Sequence, residues 1–424
     1  MRVIGIIAEF NPFHSGHEYL IQKAREIVAD PRAIVMPVIT GPFTQRGLPS
    51  LLPPQIRARQ ALSCGADLVL QLPFTFSCAP SSRFAYGGVS ELINTGVVTD
   101  IAFGIDSGDP DMLRELAATD FEASDEYRTA LKDALDEGMS YPAARARAIG
   151  AVSGPDAEAA VSGPNSILAL EYLAALRRLD KKGRINVIMI GREGAGYSSE
   201  DASSAIPSAS AIRSRLISDC APEYRQSEVA SSLIGLMPDA SLAVMLASAG
   251  KEFSYIDYGK YLRSALTRVI TDADPDRYAY MGDSLAGYLR NRGEDVRPGI
   301  LPAEDHDGKV FEKEMATKRY TMTRMLRALS SCVTGQTEQD IRDLESPSYV
   351  RVLGFNREGR YCLKIMRKCA KVPVVMNPSD ALELCSSDPV LARMHELDMR
   401  AASIYWELAG KDSAHEWELP PLQI

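Results

Sequence analysis

The N-terminal stretch IGIIAEFNPFHSGHEYL, residues 4–20, limits the possible fold of this chain more narrowly than any other stretch. Its apolar run, Val3 to Ala8, has the length of a buried β-strand and is followed by an Asn-Pro pair, which is typical of turns. Apolar residues then recur at helical spacing from Leu20 to Val28. The stretch therefore predicts a strand, a tight loop and a helix, with His14 and His17 on the first helical turn.

The start of this helix is suited to binding a phosphate. A helix N-terminus presents N–H groups without partners in the helix, together with the positive end of the macrodipole. His14 and His17 are three residues apart, so both side chains can meet one ligand, and Gly16 lets a nucleotide approach the backbone. His-x-Gly-His after a strand resembles the HIGH signature of the nucleotidylyltransferase superfamily. The motif alone leaves open that the histidines act only as helix caps or bind a metal.

Composition and charge narrow the class of protein. The chain has 424 residues, 46% hydrophobic and 24% charged, which is typical of a soluble protein of two or three domains. Its formal net charge of −9 means that an RNA partner needs a local basic patch. Seven cysteines without a CxxC pair favour free thiols in a reducing compartment and no zinc site. With no signal peptide or membrane span in the pattern, we expect a cytoplasmic protein that does not bind membranes.

The order of strands and helices predicts an α/β fold. Short apolar strands alternate with helices, which indicates a doubly wound parallel sheet whose ligands bind beyond the carboxyl ends of the strands. We predict a nucleotide-binding catalytic domain at residues 1–235, with a helical insertion at about 107–163, and a mainly α-helical domain at residues 236–424. In the second domain, residues 317–327 are predicted as a basic helix and residues 349–355 as a half-buried strand.

Several loops of the first domain carry side chains suited to nucleotide chemistry. A glycine at a strand end permits close approach, an asparagine can bond a base or ribose, and arginines and serines can hold phosphates. An asparagine or serine at a helix start is often only a cap, and an arginine after a strand is often solvated. The candidates are Gly104, Asn165, Arg192, Ser208, Ser210 and Arg213.

A longer series of motifs is similar in content and order to the bacterial tRNA(Met) cytidine acetate ligase family. The similarity covers most of the chain and is least marked in residues 106–163 and 219–307. It implies a nucleotidylyltransferase-like (HUP-type) first domain and a tRNA-binding second domain. It also implies that ATP activates acetate as acetyladenylate, and that the acetyl group passes to N4 of the wobble cytidine of elongator tRNA(Met). The motifs are IIAEFNPFHSGH, QRG, GADLVLQLP, FG, GPNSILALEYL, GAGY, SASAIR, TKRYTMTR and RVLGF.

The resemblance also implies roles for individual residues. It implies catalytic roles for His14 and His17, and ATP contacts from Gly104, Asn165 and Arg192. Charge neutralisation of the triphosphate favours Mg²⁺, although no dedicated metal cluster is visible in the sequence. Lys318, Arg319 and Arg324 are candidate RNA contacts, as is the segment 351–371. The remaining implied ATP contacts form the run Ile7, Ala8, Glu9, Phe10, Asn11, Pro12, Phe13, His14, Ser15, Gly16, His17, Glu18, Tyr19 and Leu20.

Three positions depart from the family pattern. Pro42 replaces an asparagine, Pro53-Pro54-Gln55 replaces an Asp-Lys pair before a helix, and Ile105-Asp106 replaces Ser-Glu. A lysine lost beside a phosphate or RNA site removes a charge-assisted contact. Two other functions therefore remain open at this point: a small-molecule nucleotidylyltransferase, and a non-catalytic homologue that binds ATP and RNA. The oligomeric state does not follow from the sequence.

Overall fold

The structure, a computed structural model, describes residues 1–106, 109–191, 209–220, 226–249, 252, 254, 256–295 and 305–424. The strands in these ranges form one sheet in the order β5-β4-β1-β2-β3-β6-β7, with β8 beside β6. Strands β1 to β5 are mutually parallel, and β6 runs antiparallel to β3. The strands are β1 Val3–Ala8, β2 Ile34–Thr40, β3 Leu68–Leu72, β4 Asp100–Ile105, β5 Asn186–Gly191, β6 Val350–Phe355, β7 Val374–Val375 and β8 Leu422–Gln423.

Helices connect the strands and make up most of the second half of the chain. They are α1 Ser15–Val28, α2 Pro54–Ser63, α3 Phe74–Ser77, α4 Ser81–Asn94, α5 Pro110–Ala118, α6 Asp125–Asp136, α7 Tyr141–Ser153, α8 Pro155–Ala160, α9 Pro164–Leu179, α10 Ala209–Cys220, α11 Gln226–Leu233, α12 Asp239–Ser248, α13 Tyr258–Thr271, α14 Leu285–Asp295, α15 Lys309–Met315, α16 Met322–Thr334, α17 Glu338–Asp343, α18 Arg357–Cys369, α19 Asp380–Cys385 and α20 Pro389–Leu408. None of the described helices is long and apolar enough to cross a membrane. Helices α5 to α8 fill the predicted insertion.

Both faces of the sheet are buried, as a doubly wound fold requires. Along β1, Val3 and Ile7 belong to one apolar cluster, whereas Ile4 and Ile6 belong to another. This alternation follows from the pleat, because successive side chains of a strand point to opposite faces. The apolar run is therefore explained by burial on both sides, and the predicted α/β fold class is confirmed.

The strand order places a crevice beside β1. This strand pairs with β2 on one side and with β4 on the other, so the connections after β1 and β4 leave the sheet in different directions. Such a switch point is where open α/β sheets bind ligands. Helix α1 begins at this point, immediately after the loop that follows β1.

The second half of the chain extends the sheet. Residues 349–355 were expected to be half-buried, and this expectation is wrong, because every residue of β6 is buried. The cause is that β6 lies between β3 and the short strands β7 and β8, with Val352 in one apolar cluster and Leu353 in another. The buried Asp398 of α20 joins β6 to α3, because its carboxylate accepts hydrogen bonds from the Tyr349 hydroxyl and, at 2.6 Å, from the Phe74 N–H. Burial raises the pKa of Asp398 to about 6.

The predicted basic helix at residues 317–327 begins later than expected. Helix α16 begins at Met322, and the preceding residues form a turn in which the Thr317 hydroxyl accepts the Tyr320 N–H at 2.9 Å. A threonine side chain that bonds a nearby backbone group competes with helix formation. The Tyr320 hydroxyl donates to the Asp283 carbonyl at 2.7 Å, and the ring is only 6% exposed. The turn therefore presents Lys318 and Arg319 outward from an aromatic anchor.

Candidate active site

A pocket opens at the carboxyl edge of the sheet, beside the switch point. It is bounded by the loop after β1, the first turn of α1, the ends of β4 and β5, and the first residues of α9 and α10. Three helix N-termini thus border one cavity, which favours an anionic ligand. Its lining consists of Ile7, Ala8, Glu9, Phe10, Asn11, His14, Gly16, His17, Tyr19, Leu20, Gln45, Phe84, Phe103, Gly104, Asn165, Leu168, Tyr172, Ile190, Gly191, Ala209 and Arg213.

The two histidines form the N-terminal cap of α1. His14 is the cap residue, and its Nδ1 accepts the Gly16 N–H at 3.0 Å, while Nδ1 of His17 accepts the His14 N–H at 3.2 Å. A ring nitrogen that accepts a hydrogen bond carries no proton, so the neutral ring carries its proton on Nε2. The ring centroids lie 3.8 Å apart, and both residues line the pocket. Capping thus sets the tautomer and orientation of two adjacent donors.

Aromatic rings below the loop hold His17 in place. The ring of Phe10 lies 4.7 Å from that of His17 and the ring of Phe13 lies 5.5 Å from it, and both phenylalanines are fully buried. Phe10 has a positive φ of 49°, an uncommon conformation for a residue with a side chain. Of the predicted contact run, Pro12, Phe13, Ser15 and Glu18 are not part of the pocket lining. Phe13 instead supports His17, and the Ser15 hydroxyl donates to the Leu236 carbonyl at 3.5 Å.

A buried arginine, which the sequence analysis did not single out, fixes the loop from behind. Arg57 of α2 donates to the carbonyls of Glu9 at 2.5 Å, Gly41 at 2.5 Å and Leu52 at 3.0 Å. Burial lowers its pKa to about 10, so the guanidinium stays protonated at neutral pH. The loops after β1 and β2 are therefore tied together through one fully buried cation. In the sequence Arg57 has the appearance of an ordinary charged residue, so only the surrounding carbonyls reveal its role.

Asp106 orients Asn165 from the end of β4. The Asp106 carboxylate accepts the Asn165 backbone N–H at 2.6 Å and the Ser166 N–H at 3.3 Å, and it also accepts from the Asn165 side-chain amide. The carboxylate therefore caps α9 and fixes the direction of the Asn165 amide. The two partners are 59 positions apart, so the sequence gives no local sign of this contact. Ile105-Asp106, noted as a departure from the family pattern, thus includes a positioning residue.

The start of α10 supplies a cation to the pocket. Arg213 donates to the Asn11 carbonyl at 2.7 Å and to the Ser210 hydroxyl at 3.0 Å, and it lines the cavity together with Ala209. Arg213 is thereby positioned beside the histidine loop although it lies about two hundred residues away in sequence. The candidate residues Arg192 and Ser208 lie outside the described residues.

The opposite side of the pocket is apolar. Gly104 and Gly191 lie at the ends of the neighbouring strands β4 and β5, where the missing side chains leave room for a ligand. The rings of Phe103 and Tyr172 pack 5.2 Å apart on this side. The predicted site residues did not include this apolar part of the lining, because apolar residues in strands and helices have the pattern of ordinary core. These lining residues are Phe84, Phe103, Leu168 and Tyr172.

A wide groove adjoins the pocket. Gln45, Asn165 and Leu168 line both cavities. The far wall of the groove carries the candidate RNA contacts Lys318, Arg319 and Arg324.

Two of the cations that line the groove are paired with carboxylates. Arg324 pairs with the exposed Asp283 at 2.8 Å, and Arg145 pairs with Glu171 at 2.6 Å. Helices α6 and α7 of the insertion supply the wall that faces the basic turn. The pocket and the groove are therefore adjacent cavities, since three residues line both of them.

The loop that contains Gln45 is held by α16. Gly47 has a positive φ of 100°, and a Cβ there would lie 2.5 Å from the Arg327 backbone nitrogen. The Ser330 hydroxyl donates to the Gly47 carbonyl, and Arg327 donates to the Gln45 carbonyl at 3.5 Å. Only glycine permits this close approach. The C-terminal half thus positions a loop of the nucleotide pocket.

Comparisons with known proteins agree with this geometry. The family model described as HIGH Nucleotidyl Transferase matches residues 1–418. The tRNA(Met) cytidine acetate ligase of Acetivibrio thermocellus is 34% identical over 96% of this chain and 94% of its own, and that of Clostridium novyi is 32% identical over 89% and 90%. The crystal structure of apo Thermotoga maritima TmcAL superposes with a TM-score of 0.86 at 27% identity, and the form bound with alpha-thio ATP with a TM-score of 0.83 at 27% identity. Both cover 100% of each chain.

Proposed function

The chain belongs to the tRNA(Met) cytidine acetate ligase family, within the HIGH nucleotidyl transferases, and we propose that it is an ATP-dependent ligase that acetylates the wobble cytidine of elongator tRNA(Met). The observation that carries the proposal is the paired histidine cap at a pocket bordered by three helix N-termini. A structural relative whose crystal contains alpha-thio ATP supports ATP as the ligand.

The charged and apolar ends of the pocket favour one orientation of ATP. The triphosphate lies at the charged end, where His14 and His17 can donate from Nε2 and Arg213 supplies a guanidinium. The adenosine lies at the apolar end, where Gly104 leaves room and the Asp106-oriented amide of Asn165 can bond the base or ribose. This arrangement keeps the negative charge at the helix termini and the flat base against apolar side chains.

The reaction proceeds in two displacement steps. A carboxylate oxygen of acetate attacks the α-phosphorus, and the bond from that phosphorus to the bridging oxygen breaks, which releases pyrophosphate and leaves acetyladenylate. The cytidine N4 amine then attacks the acyl carbon, the acyl–oxygen bond breaks, AMP leaves, and the amine loses a proton. Neither step needs a covalent bond to the protein. Orientation by the pocket and charge stabilisation by His14, His17 and Arg213 suffice.

We propose that Mg²⁺ enters bound to the triphosphate. Glu9 is the one carboxylate in the described pocket lining, and one of its oxygens accepts the Gln45 N–H at 2.8 Å. The described residues contain no group of three histidine, cysteine or carboxylate side chains arranged to hold a metal. Mg²⁺ commonly binds through substrate phosphates and water with few protein ligands, which this pocket accommodates.

The groove is the proposed path of the anticodon loop. Because it shares Asn165 and Leu168 with the pocket, a nucleotide in the groove can present its base to the acyl group. Lys318, Arg319 and Arg324 stand on the opposite wall, where they can contact RNA phosphates. The overall negative charge of the chain makes such a local cluster necessary.

The test is a complete reaction with purified protein, ATP, labelled acetate and total tRNA. Label in tRNA that digests to N4-acetylcytidine is the expected result. Acetyladenylate without labelled RNA would indicate a different acceptor. If neither product forms although ATP binds, the ligase function is refuted and the non-catalytic alternative is favoured. Transfer from ATP to a small molecule without acetate would favour the small-molecule nucleotidylyltransferase.

A further inference from the structure

Helix α18 crosses the edge of the sheet opposite the ATP pocket. Near its start, a Cβ on Gly359 would meet the Asp67 carbonyl just before β3, and the Asn356 N–H donates to the same carbonyl at 3.0 Å. Near its end, the Cys369 carbonyl abuts Gly96, shortly before β4. These strands are parallel, so both contacts lie at their amino-terminal ends, whereas the pocket lies at their carboxyl ends. The six residues of β1 alone span about 20 Å between the two edges.

One face of this helix is strongly basic and exposed. Its cations recur at spacings of three, four and seven residues, which places them on one side of a helix. The described residues give none of these side chains an acidic partner, and Glu358 is the one acid of the helix. The cations are Arg357, Arg360, Lys364, Arg367, Lys368 and, just beyond the helix, Lys371. A stripe of this charge on a chain with a net charge of −9 is a local feature that favours a polyanion.

An aromatic ring stands within the basic face. Tyr361 is 60% exposed, whereas the other two tyrosines near basic segments, Tyr320 and Tyr349, are 6% and 1% exposed. An exposed ring among cations can stack on an unpaired base or ribose, as in RNA-binding surfaces. The apolar side of the helix, formed by Cys362, Leu363 and Met366, is buried against the sheet. No apolar face of α18 is therefore available to enter a membrane, and the ligand is recognised by charge and stacking.

We propose that the exposed face of α18, with Arg360, Tyr361, Lys364 and Arg367 at its centre, is a second RNA-binding surface that holds a part of the tRNA outside the anticodon stem-loop. This inference rests on the proposed function for the identity of the RNA. The position of α18 at the opposite sheet edge from the pocket favours contact with regions of the tRNA beyond that stem-loop. The surface contributes affinity and orientation and takes no part in the chemistry.

The test compares full-length tRNA(Met) with its isolated anticodon stem-loop, using direct binding that needs no acetylation. The variant Lys364→Glu/Arg367→Glu should bind full-length tRNA at least tenfold more weakly and with a salt dependence that is shallower by about two counterions. Its affinity for the stem-loop and its acetate-dependent release of pyrophosphate should remain within twofold of wild type. Lys309→Glu/Lys313→Glu on α15 is the matched control, with the same change in charge and no expected loss of tRNA affinity.

The possible outcomes distinguish failure of the proposed α18 surface from failure of the proposed ligase function. Tyr361→Ala should weaken binding of full-length tRNA, and Tyr361→Phe should restore it, because stacking needs the ring and not the hydroxyl. Equal loss of stem-loop and tRNA affinity in the α18 variant would overturn the distal location. Unchanged tRNA affinity would overturn the proposal and favour an acidic protein as the partner. A tRNA-specific loss in a protein that never forms N4-acetylcytidine would support this surface and refute the ligase function.

Discussion

The two roles of His14 can be separated by replacing it with residues that keep one role at a time. Nδ1 of His14 accepts the Gly16 N–H at 3.0 Å, and the Nε2 proton is the proposed donor to the triphosphate. Asn places its Oδ1 at the same number of bonds from Cα as Nδ1 and is among the best helix caps, but it has no group at the Nε2 position. His14→Asn therefore retains the cap and loses the donor, whereas His14→Ala loses both.

The expected magnitudes follow from these contacts. A hydrogen bond to a charged group contributes about 1.5–3 kcal/mol, so both variants should release pyrophosphate roughly 10- to 150-fold more slowly. Loss of an N-cap costs about 1 kcal/mol, so His14→Ala should be less stable than His14→Asn by that amount. The rate is measured as acetate-dependent pyrophosphate release in the presence of tRNA, and the free energy of unfolding is measured by urea denaturation.

The control for these variants is Gln22→Ala, which changes an exposed residue of the same helix and should alter neither the rate nor the free energy of unfolding appreciably. A wild-type rate in His14→Asn would show that His14 serves only as a cap. A rate that falls in proportion to lost stability across the variants would show that the slow reaction reflects a frayed helix, and the donor role would be rejected.

Three further predictions concern the surroundings of the site. Asp106→Asn replaces an acceptor beside the Asn165 amide with a donor, so calorimetry should show ATP binding weakened by roughly tenfold, or about 1.4 kcal/mol, with little change in urea midpoint. Gly47→Ala should destabilise the protein by at least about 1 kcal/mol more than Gly154→Ala in urea denaturation. Both glycines have positive φ, but a Cβ at Gly154 meets nothing within 4 Å. The folded protein holds the Asp398 proton more tightly than the unfolded chain, so this group's contribution to stability falls as pH rises from about 4 to about 6. The wild-type melting temperature minus that of Asp398→Asn should fall over this range, and a flat difference would contradict the assigned burial.

The sequence predicts a strand or helix well where the apolar pattern of that segment is explained by burial of its own side chains. The apolar run and the Asn-Pro turn predict β1 and its loop correctly. The helix was expected to include His14 in its first turn, whereas α1 begins at Ser15 and His14 is its cap. Local patterns also suffice for β2 to β4, because each is an apolar run that is almost entirely buried. The edge strand β5 is less buried, but Ile188 and Ile190 still give it an apolar core face. In these cases, burial alone determines the pattern.

Contacts between distant segments could not be predicted in the same way. Periodicity reports that a strand is apolar, but it does not report which strand lies beside it, so the antiparallel pairing of β6 with β3 has no local signal. Arg57 and Asp106 resemble ordinary charged residues in the sequence, and their roles appear only when carbonyls or amides from other segments surround them. Tyr320 is the one aromatic residue of the basic segment 317–327, where an exposed ring could stack on RNA, but its hydroxyl donates to the Asp283 carbonyl and its ring is buried.

The adjacent positions of the pocket and the groove give a reason for the large C-terminal half that follows the nucleotidylyltransferase sheet. Acetyladenylate formed in the pocket would hydrolyse if it had to leave before meeting an amine. Both the pocket and the groove are lined by Gln45, Asn165 and Leu168. An acyl group in the pocket and a base in the groove would therefore be separated by at most one layer of side chains. The Gln45 loop depends on α16, because Ser330 and Arg327 bond its carbonyls and the backbone of α16 abuts Gly47. The C-terminal half therefore holds a loop shared by the pocket and the groove and also forms a wall of the groove proposed to receive the RNA.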